Sequence, residues 1–112
     1  MIARLWFGST RPEDADEYVA YLEQTGVKVH RATPGNRGSL VLRQRGEGRA
    51  DFLVLSFWES AEAIRAFAGD DIGRAVYFPE DDRFLVERRD TIDHYEVAGG
   101  TAERVPCYAR DE

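Results

Sequence analysis

The stretch ADFLVLSFW, residues 50–58, decides the fold that this sequence predicts. It is a nearly unbroken apolar run, which is typical of a central strand that is covered on both faces of its sheet. Because successive side chains of a strand point to opposite faces, the run divides into two apolar sets. One face takes Phe52, Val54 and Trp58, and the other takes Leu53, Leu55 and Phe57. We therefore expect this strand to need cover on both sides.

The residues before this stretch predict a strand and a helix. Residues 2–7 are rich in strand formers. Thr10, with Glu13 three residues later, is a capping box that predicts the start of a helix. Gly26 is expected to end or kink that helix, and residues 27–32 are expected to add another turn.

A hairpin and a second helical region follow. Residues 38–45 alternate in side-chain character and are joined to the central strand by a turn at residues 46–48. Ser60 is placed to cap a second helix, and Gly69 follows its end. A short helix is expected over residues 71–77.

The last elements complete a β-α-β-β-α-β order. Residues 83–86 are expected to be extended, and residues 91–97 are expected to form the last strand. This order predicts an α+β domain of the ferredoxin-like type, with a four-stranded antiparallel sheet and both helices on one face. We expect the domain to span residues 1–97 and residues 98–112 to form a C-terminal tail.

Composition and charge exclude several classes of function. The length of 112 residues is typical of one domain, and the formal net charge of −6 has the wrong sign for a nucleic-acid binder. A single cysteine, Cys107, cannot form an internal disulfide. Two histidines, His30 and His94, argue against a multi-histidine metal site. No apolar run reaches the length of a membrane span, so we expect a cytoplasmic protein with no membrane or nucleic-acid partner.

The second apolar face of residues 50–58 predicts a partner. Two helices can cover one face of the sheet, and the other face would expose more apolar area than a monomer usually tolerates. Covering about 700 Å² of it is worth on the order of 15 kcal/mol before association costs. The same face of a second copy is the natural cover, which predicts a two-fold homodimer. The alternative is that the C-terminal tail folds over its own sheet.

Four local patterns, with the length and the element order, resemble the antibiotic biosynthesis monooxygenase family of dimeric α/β-barrel proteins. They are IARLW at residues 2–6, SFWES at 56–60, YFPEDD at 77–82 and HYEV at 94–97. The resemblance implies that the sheets of two subunits form a dimeric α/β barrel that takes a small-molecule ligand or substrate. Fold alone does not assign a reaction, because this superfamily contains oxygenases, isomerases and decarboxylases.

Two branches of the family can be compared with this chain. Heme-degrading members use an Asn, a Trp and a His where this chain has Phe7, Phe67 and Tyr77, so heme degradation is not expected. Quinone-forming members oxidise phenolic polyketides with O2 and without metal or flavin, since the deprotonated substrate is its own reductant. This resemblance implies a cofactor-independent, monooxygenase-like enzyme that acts on a small aromatic or otherwise electron-rich molecule.

Six residues are candidates for that chemistry. As catalytic candidates, Tyr77 could donate a hydrogen bond to a substrate oxygen and His94 could act as a general base. The candidates for substrate binding are Arg4, Phe7, Trp58 and Phe67. An apolar pocket with a few polar groups would suit this chemistry.

Structural roles compete with these assignments. Tyr77 could be an amphipathic core residue, and His94 could lie in a dimer interface. Arg4 and Trp6 are expected to share one face of the first strand. Arg4 could pair with Glu96 or Asp93 on the last strand, because an inward arginine needs a partner. The phenylalanine and tryptophan candidates could simply be core aromatics.

Three further features favour structural interpretations. His30 is expected to help satisfy a helix end, residues 80–82 (EDD) to form a solvated loop rather than a metal site, and Cys107 to be unreactive. The rival to the enzyme is a non-catalytic ligand-binding or stress-response dimer that uses the same pocket. Converging Tyr, His and Arg side chains would favour the enzyme, and a wholly apolar pocket would favour the rival.

Overall fold

The computed structural model describes residues 1–100, which form one antiparallel sheet with helices packed on it. The strands are β1 (Ile2–Thr10), β2 (Asn36–Arg45), β3 (Ala50–Trp58), β4 (Leu85–Arg88) and β5 (Asp93–Glu96). The helices are α1 (Ala15–Leu22), α2 (Lys28–Ala32), α3 (Ala61–Ala68) and α4 (Asp81–Phe84). The strands lie in the order β2-β3-β1, and β4 and β5 both pair with the outer edge of β1. The predicted α+β, ferredoxin-like architecture is confirmed. The C-terminal part of the predicted tail, with Cys107, lies outside the described residues.

The strand β3 is paired along its whole length with both neighbours. Its register runs from Ala50 to Trp58 against β1 on one side and β2 on the other. Every second residue of β3 is buried, and the residues between them are half-buried. The two apolar faces predicted for residues 50–58 are confirmed.

The main core lies between one face of the sheet and α1. Tyr18 of α1 is fully buried, and its ring contacts the rings of Phe52 on β3 and Phe84 at the end of α4. Trp6 of β1 and Ile92 belong to the same cluster. The helices therefore cover the face of β3 that carries Phe52.

The opposite face of the sheet keeps a set of apolar side chains that are only partly covered. Two rows cross β1, β3 and β2: Leu5, Leu55 and Leu40 form one, and Phe7, Leu53 and Leu42 form the other. Leu42 is 42% exposed and the other five are half-buried. This face is called the open face below.

The sheet has one strand more than predicted, because the extended segment expected at residues 83–86 contributes β4 and the last strand expected at residues 91–97 is β5. β4 pairs with the end of β1 near Gly8, and β5 pairs with its beginning from Ile2 to Leu5. Between them, the backbone N–H of Ile92 donates to the Gly73 carbonyl, and Thr91 forms a bridge with Arg74. The chain is thus drawn away from β1 at this point, so the predicted four-stranded sheet has five strands.

The first helical region runs through four consecutive segments. A 3-10 turn at Pro12–Asp14 precedes α1, and a π-helical turn at Glu23–Val27 joins α1 to α2. The helical path therefore continues past Gly26 through this wider turn. The predicted capping box is wrong, because Thr10 belongs to β1 and its hydroxyl donates to the Arg11 carbonyl. None of the helices in the described part of the chain is long and apolar enough to cross a membrane.

The second helical region confirms one prediction and corrects two others. The Ser60 side chain accepts a hydrogen bond from the Ala63 N–H at the start of α3, as predicted. Residues 71–77 form no helix, because the Ala75 N–H donates to the Asp90 carbonyl, 2.8 Å away, and the Ile72 carbonyl accepts from Arg4. The predicted extended segment 83–86 begins instead inside α4 and becomes β4 at Leu85.

A close approach at Gly8 leads to a prediction of stability. A Cβ added at Gly8 would lie 2.6 Å from Trp6 Cη2 and 2.9 Å from Leu85 Cδ2. We expect Gly8→Ala to lower the free energy of unfolding by about 1–3 kcal/mol, because both contacts are in the core. Gly46→Ala is the matched control, since its Cβ would meet only the Arg49 carbonyl at 3.6 Å. Urea unfolding of both variants measures the difference, and equal stability of the two would contradict the prediction.

Candidate functional site

A pocket lies between the helix-covered face of the sheet, the first helical region and the segment before α4. Its apolar walls include Leu22, Val54, Phe67, Val76 and Phe78, and its ionisable lining residues are Arg4, His30 and Asp81. The empty space measures about 430 Å³ when its open mouth is included. The pocket is therefore mostly apolar, with a few polar groups, as is typical of small-molecule sites.

Arg4 is the cation of this pocket. Alternation along β1 places it on the same face as Trp6, as the sequence predicts, and it is only 3% exposed. Its Nη1 donates to the Ile72 carbonyl at 2.7 Å and lies 3.0 Å from His94 Nε2. Its Nη2 donates to the Arg74 carbonyl at 3.4 Å. Since arginine has only donors, His94 Nε2 is the acceptor in this pair.

The predicted pairing of Arg4 with a carboxylate of the last strand is wrong. Asp93 and Glu96 lie in β5, but the Arg4 guanidinium reaches two backbone carbonyls and an imidazole instead. Burial lowers the pKa of Arg4 to about 10. The side chain therefore keeps its positive charge at neutral pH, in a place where charges are costly.

His30 of α2 is a buried imidazole in the same pocket. It is 5% exposed, and its Nδ1 lies 2.8 Å from Ser39 Oγ of β2, so the predicted contact with a helix end is replaced by one with the sheet. Its ring packs edge-on against Phe67, with 4.5 Å between centroids, and against Trp58. Burial and then the charge of Arg4 lower its pKa to about 4. His30 is therefore neutral at neutral pH.

Asp81 supplies a buried carboxylate. It is 3% exposed, accepts a hydrogen bond from the Tyr18 hydroxyl at 2.7 Å and another from the Phe78 N–H at 2.7 Å. The expectation of a solvated loop is thus wrong for Asp81, although Glu80 and Asp82 on either side are exposed. Burial and this carboxylate raise the pKa of Tyr18, so the Tyr18 hydroxyl is the donor.

Of the six predicted site residues, two line the pocket, two contact residues that line it, and two lie elsewhere. Arg4 and Phe67 line the pocket. His94 contacts Arg4, and Trp58 stacks on Phe67 with 5.8 Å between ring centroids. Tyr77 and Phe7 are placed elsewhere: the Tyr77 hydroxyl donates to the Arg89 carbonyl, and Phe7 lies on the open face under the Arg89 guanidinium.

Three pocket residues were not singled out as site candidates by the sequence. Asp81 belongs to an acidic run, and His30 lies at the end of the predicted first helical region, where the sequence favours a structural role. Trp6 lines the pocket, and its Nε1 is the only fully enclosed side-chain nitrogen or oxygen that makes no hydrogen bond in residues 1–100. The only sequence feature that linked Trp6 to a site candidate was the alternation of side chains along a strand, which puts Trp6 on the same face as Arg4. In the same residues, no group of three or more His, Cys, Asp or Glu is arranged to hold a metal ion.

A comparison with protein families finds one match. The family described as antibiotic biosynthesis monooxygenase matches residues 1–75. No curated protein matches the chain.

Solved structures share the fold at low sequence identity. A candidate antibiotic biosynthesis monooxygenase from Bacillus cereus aligns with a TM-score of 0.62 and 18% identity, over 90% of this chain and 94% of that chain. Another from Nitrosomonas europaea has a TM-score of 0.59 and 11% identity, over 88% and 100%. The heme-degrader MhuD from Mycobacterium tuberculosis, with two hemes bound in its active site, has a TM-score of 0.57 and 17% identity, over 91% and 100%.

The buried neutral state of His30 predicts how stability depends on pH. Its pKa is about 4 in the folded chain against an ordinary value of 6.5, so between these pH values the unfolded chain binds a proton that the folded chain does not. The free energy of unfolding is expected to fall as the pH falls through this window, by on the order of 3 kcal/mol. Urea unfolding from pH 7 to pH 4 measures this dependence.

A control distinguishes the contribution of His30 to this pH dependence from that of His94, whose pKa is also lowered by burial and by Arg4. His30→Gln should flatten the pH profile more than His94→Gln, since His94 is only half-buried. An NMR titration in which the His30 ring changes protonation near its ordinary pKa would show that the prediction is wrong.

Proposed function

The chain belongs to the antibiotic biosynthesis monooxygenase family, and from this premise we propose that it is a cofactor-independent monooxygenase that acts on a small, electron-rich aromatic molecule. The observation that carries the proposal is the composition of the pocket. Arg4, His30 and Asp81 line it together, while most of its wall is apolar. This combination suits a reaction that moves a proton and develops negative charge away from water.

The proposed reaction begins with the loss of a proton from the substrate, for example from a phenol. The electron-rich anion then reduces O2: a ring carbon exchanges its C–H bond for a carbonyl oxygen, which gives a quinone, and the other oxygen atom leaves as water with that hydrogen and the phenol proton. The chain's part is to accept the proton, to stabilise the anion and to hold the ring in an apolar environment.

Asp81 is the proposed proton acceptor. It is a carboxylate that lines the pocket, and the hydrogen bonds from Tyr18 and Phe78 hold it in a fixed orientation. His30 is less suited to hold a proton, because protonation would create a second buried cation near the Arg4 guanidinium, whereas Asp81 becomes neutral when it accepts a proton. We assign His30 instead to a hydrogen bond with a substrate oxygen.

Arg4 is the proposed stabiliser of the substrate anion, with Phe67 as a wall for the aromatic ring. His94 accepts from Arg4 and is a positioning residue in this proposal. The catalytic role of Tyr77 and the substrate contact of Phe7 stay predictions, and neither side chain lines the pocket.

A second candidate function is ligand binding without catalysis. It is favoured by the state of the two possible proton acceptors, because burial and Arg4 disfavour a protonated His30 and Asp81 already accepts hydrogen bonds from Tyr18 and Phe78. Heme degradation has less support, because Phe7 and Phe67 offer no atom to bind iron and the Tyr77 hydroxyl donates to the Arg89 carbonyl. A Soret band on addition of heme would count for a heme-binding protein.

Oxygen uptake tests the enzymatic proposal. The purified protein is expected to accelerate O2 consumption with at least one member of a panel of anthrones and naphthols. Asp81→Asn should lower that rate about a hundredfold or more, because it removes the proton acceptor. Asp82→Asn is the matched control, since Asp82 is exposed and pairs with Arg88. No acceleration with any substrate in the panel, in protein shown to be folded by circular dichroism, would favour the non-catalytic alternative.

We also propose that the chain is a homodimer whose subunits pack open face to open face. The support is the pair of leucine and phenylalanine rows that cross three strands of this face and are only partly covered. The same face of a second copy is apolar over the same rows, so a two-fold arrangement is self-complementary. Its burial would supply the missing cover for the second side of β3.

The dimer proposal predicts a change of mass in solution. Leu55→Lys should produce a monomer at micromolar concentration, because the charge would be buried at the centre of the contact. Val29→Lys is the control, since Val29 is 39% exposed on α2, away from the open face. Light scattering after gel filtration measures both masses. A wild-type monomer, or a Leu55→Lys dimer of unchanged affinity, would rule the proposal out.

A further inference from the structure

Two hydrogen-bond donors of β1 reach the pocket without enough acceptors. Arg4 and Trp6 are two residues apart on the same strand face, and both line the pocket. Both are more than nine-tenths buried, with 3% and 9% exposure. The chemistry of these donors indicates which kind of ligand the pocket binds.

Arg4 has more hydrogen-bond donors than the acceptors around it use. A guanidinium has five N–H groups, one on Nε and two on each Nη. The two on Nη1 are used by the Ile72 carbonyl and His94, and one on Nη2 is used by the Arg74 carbonyl at a long 3.4 Å. Within residues 1–100, the Nε–H and the second Nη2–H have no acceptor. In a guanidinium, the Nε–H and one Nη2–H lie side by side on the same edge and are parallel to each other.

The charge of Arg4 is also without a counterion. No carboxylate of the described chain lies within ion-pair distance of it, and its pKa is lowered by burial alone. Asp81 lines the same pocket, but its two oxygens accept from Tyr18 and Phe78. A buried cation is normally paired, so Arg4 lacks a counterion that a ligand can bring.

Trp6 adds an independent observation. Its indole Nε1–H is buried and has no hydrogen-bond partner in the described part of the chain. A buried donor without an acceptor is rare in folded proteins, because leaving it unsatisfied is costly, and an acceptor atom of a bound ligand would remove that cost. Both unpartnered groups are donors, so a ligand that satisfies them must present acceptor atoms.

We propose that the pocket binds a small aromatic carboxylate, with the carboxylate on the free Nε–Nη2 edge of Arg4, the Trp6 Nε1–H available to the same group, and the ring against Phe67 and Phe78. The parallel N–H groups of this edge match the two oxygens of a planar carboxylate. A single cation, in a mostly apolar pocket that also holds the Asp81 carboxylate, suits one negative charge better than the two of a phosphate monoester. This inference rests on the proposed function, whose substrate class it narrows to hydroxyaryl carboxylic acids.

The test compares a matched pair of ligands without oxygen present. Isothermal titration of the wild-type protein under nitrogen is expected to show that 1-hydroxy-2-naphthoate binds at least tenfold more tightly than 1-hydroxy-2-naphthamide. The two molecules have the same rings and the same phenol, and differ in the charge of one group. Because this comparison uses the native chain, it does not depend on the folding of any variant.

Two variants test whether the difference in affinity between the acid and the amide arises in the pocket. Trp6→Phe keeps a ring but removes the Nε1–H, and it should weaken the naphthoate about three- to tenfold and the naphthamide less, because a charged carboxylate accepts a stronger hydrogen bond than an amide carbonyl does. Arg65→Met is the control, because Arg65 is an exposed arginine of α3, and neither affinity should change.

The outcomes separate this inference from the proposed function. Equal affinity for the acid and the amide would overturn the inference, and so would tighter binding of 1-naphthyl phosphate than of 1-hydroxy-2-naphthoate. Tight, selective binding of the acid under nitrogen, followed by no O2 uptake in air, would support the carboxylate site and count against the monooxygenase.

Discussion

Each residue of β3 is paired with β1 on one side and with β2 on the other, so a shift of one residue would exchange the two faces of the strand. Phe52 would then leave Tyr18, and the core would lose the ring contacts that join α1 to the sheet. The same alternation continues across β1, where it sends Leu5 to the open face and Arg4 inward. The apolar core, the open face and the buried charge are therefore consequences of one register.

An inward arginine changes the structure around it. Arg4 has no carboxylate partner on the neighbouring strand, so its guanidinium is satisfied by the Ile72 and Arg74 carbonyls. Carbonyls that bond to a side chain are not free for a helix, and the segment before α4 is irregular there. This irregular segment provides Val76 and Phe78 to the pocket wall. The hydrogen bonds of the buried Arg4 therefore help to shape the segment that forms this part of the pocket wall.

The fold was largely predictable because its signals are local and periodic. Alternation identified β3 and the face shared by Arg4 and Trp6, and the Ser60 hydroxyl identified the start of α3. The site was less predictable because its contacts join distant parts of the chain. Asp81 is buried through the Tyr18 hydroxyl, 63 residues away, and no feature of an acidic run indicates that partner. The predicted helix at 71–77 failed for the same reason, since Asp90 takes up the Ala75 N–H.

The three ionisable groups of the pocket are not independent. Arg4 remains charged, and its charge adds to burial in holding His30 in its neutral form. A second cation is thereby disfavoured, so the positive charge that a ligand meets is concentrated on Arg4. Asp81 already accepts two hydrogen bonds, which satisfies its carboxylate without removing its capacity to accept a proton. The pocket therefore offers one fixed cation and one proton acceptor around a neutral imidazole, which is the division of roles that forming and stabilising a substrate anion requires.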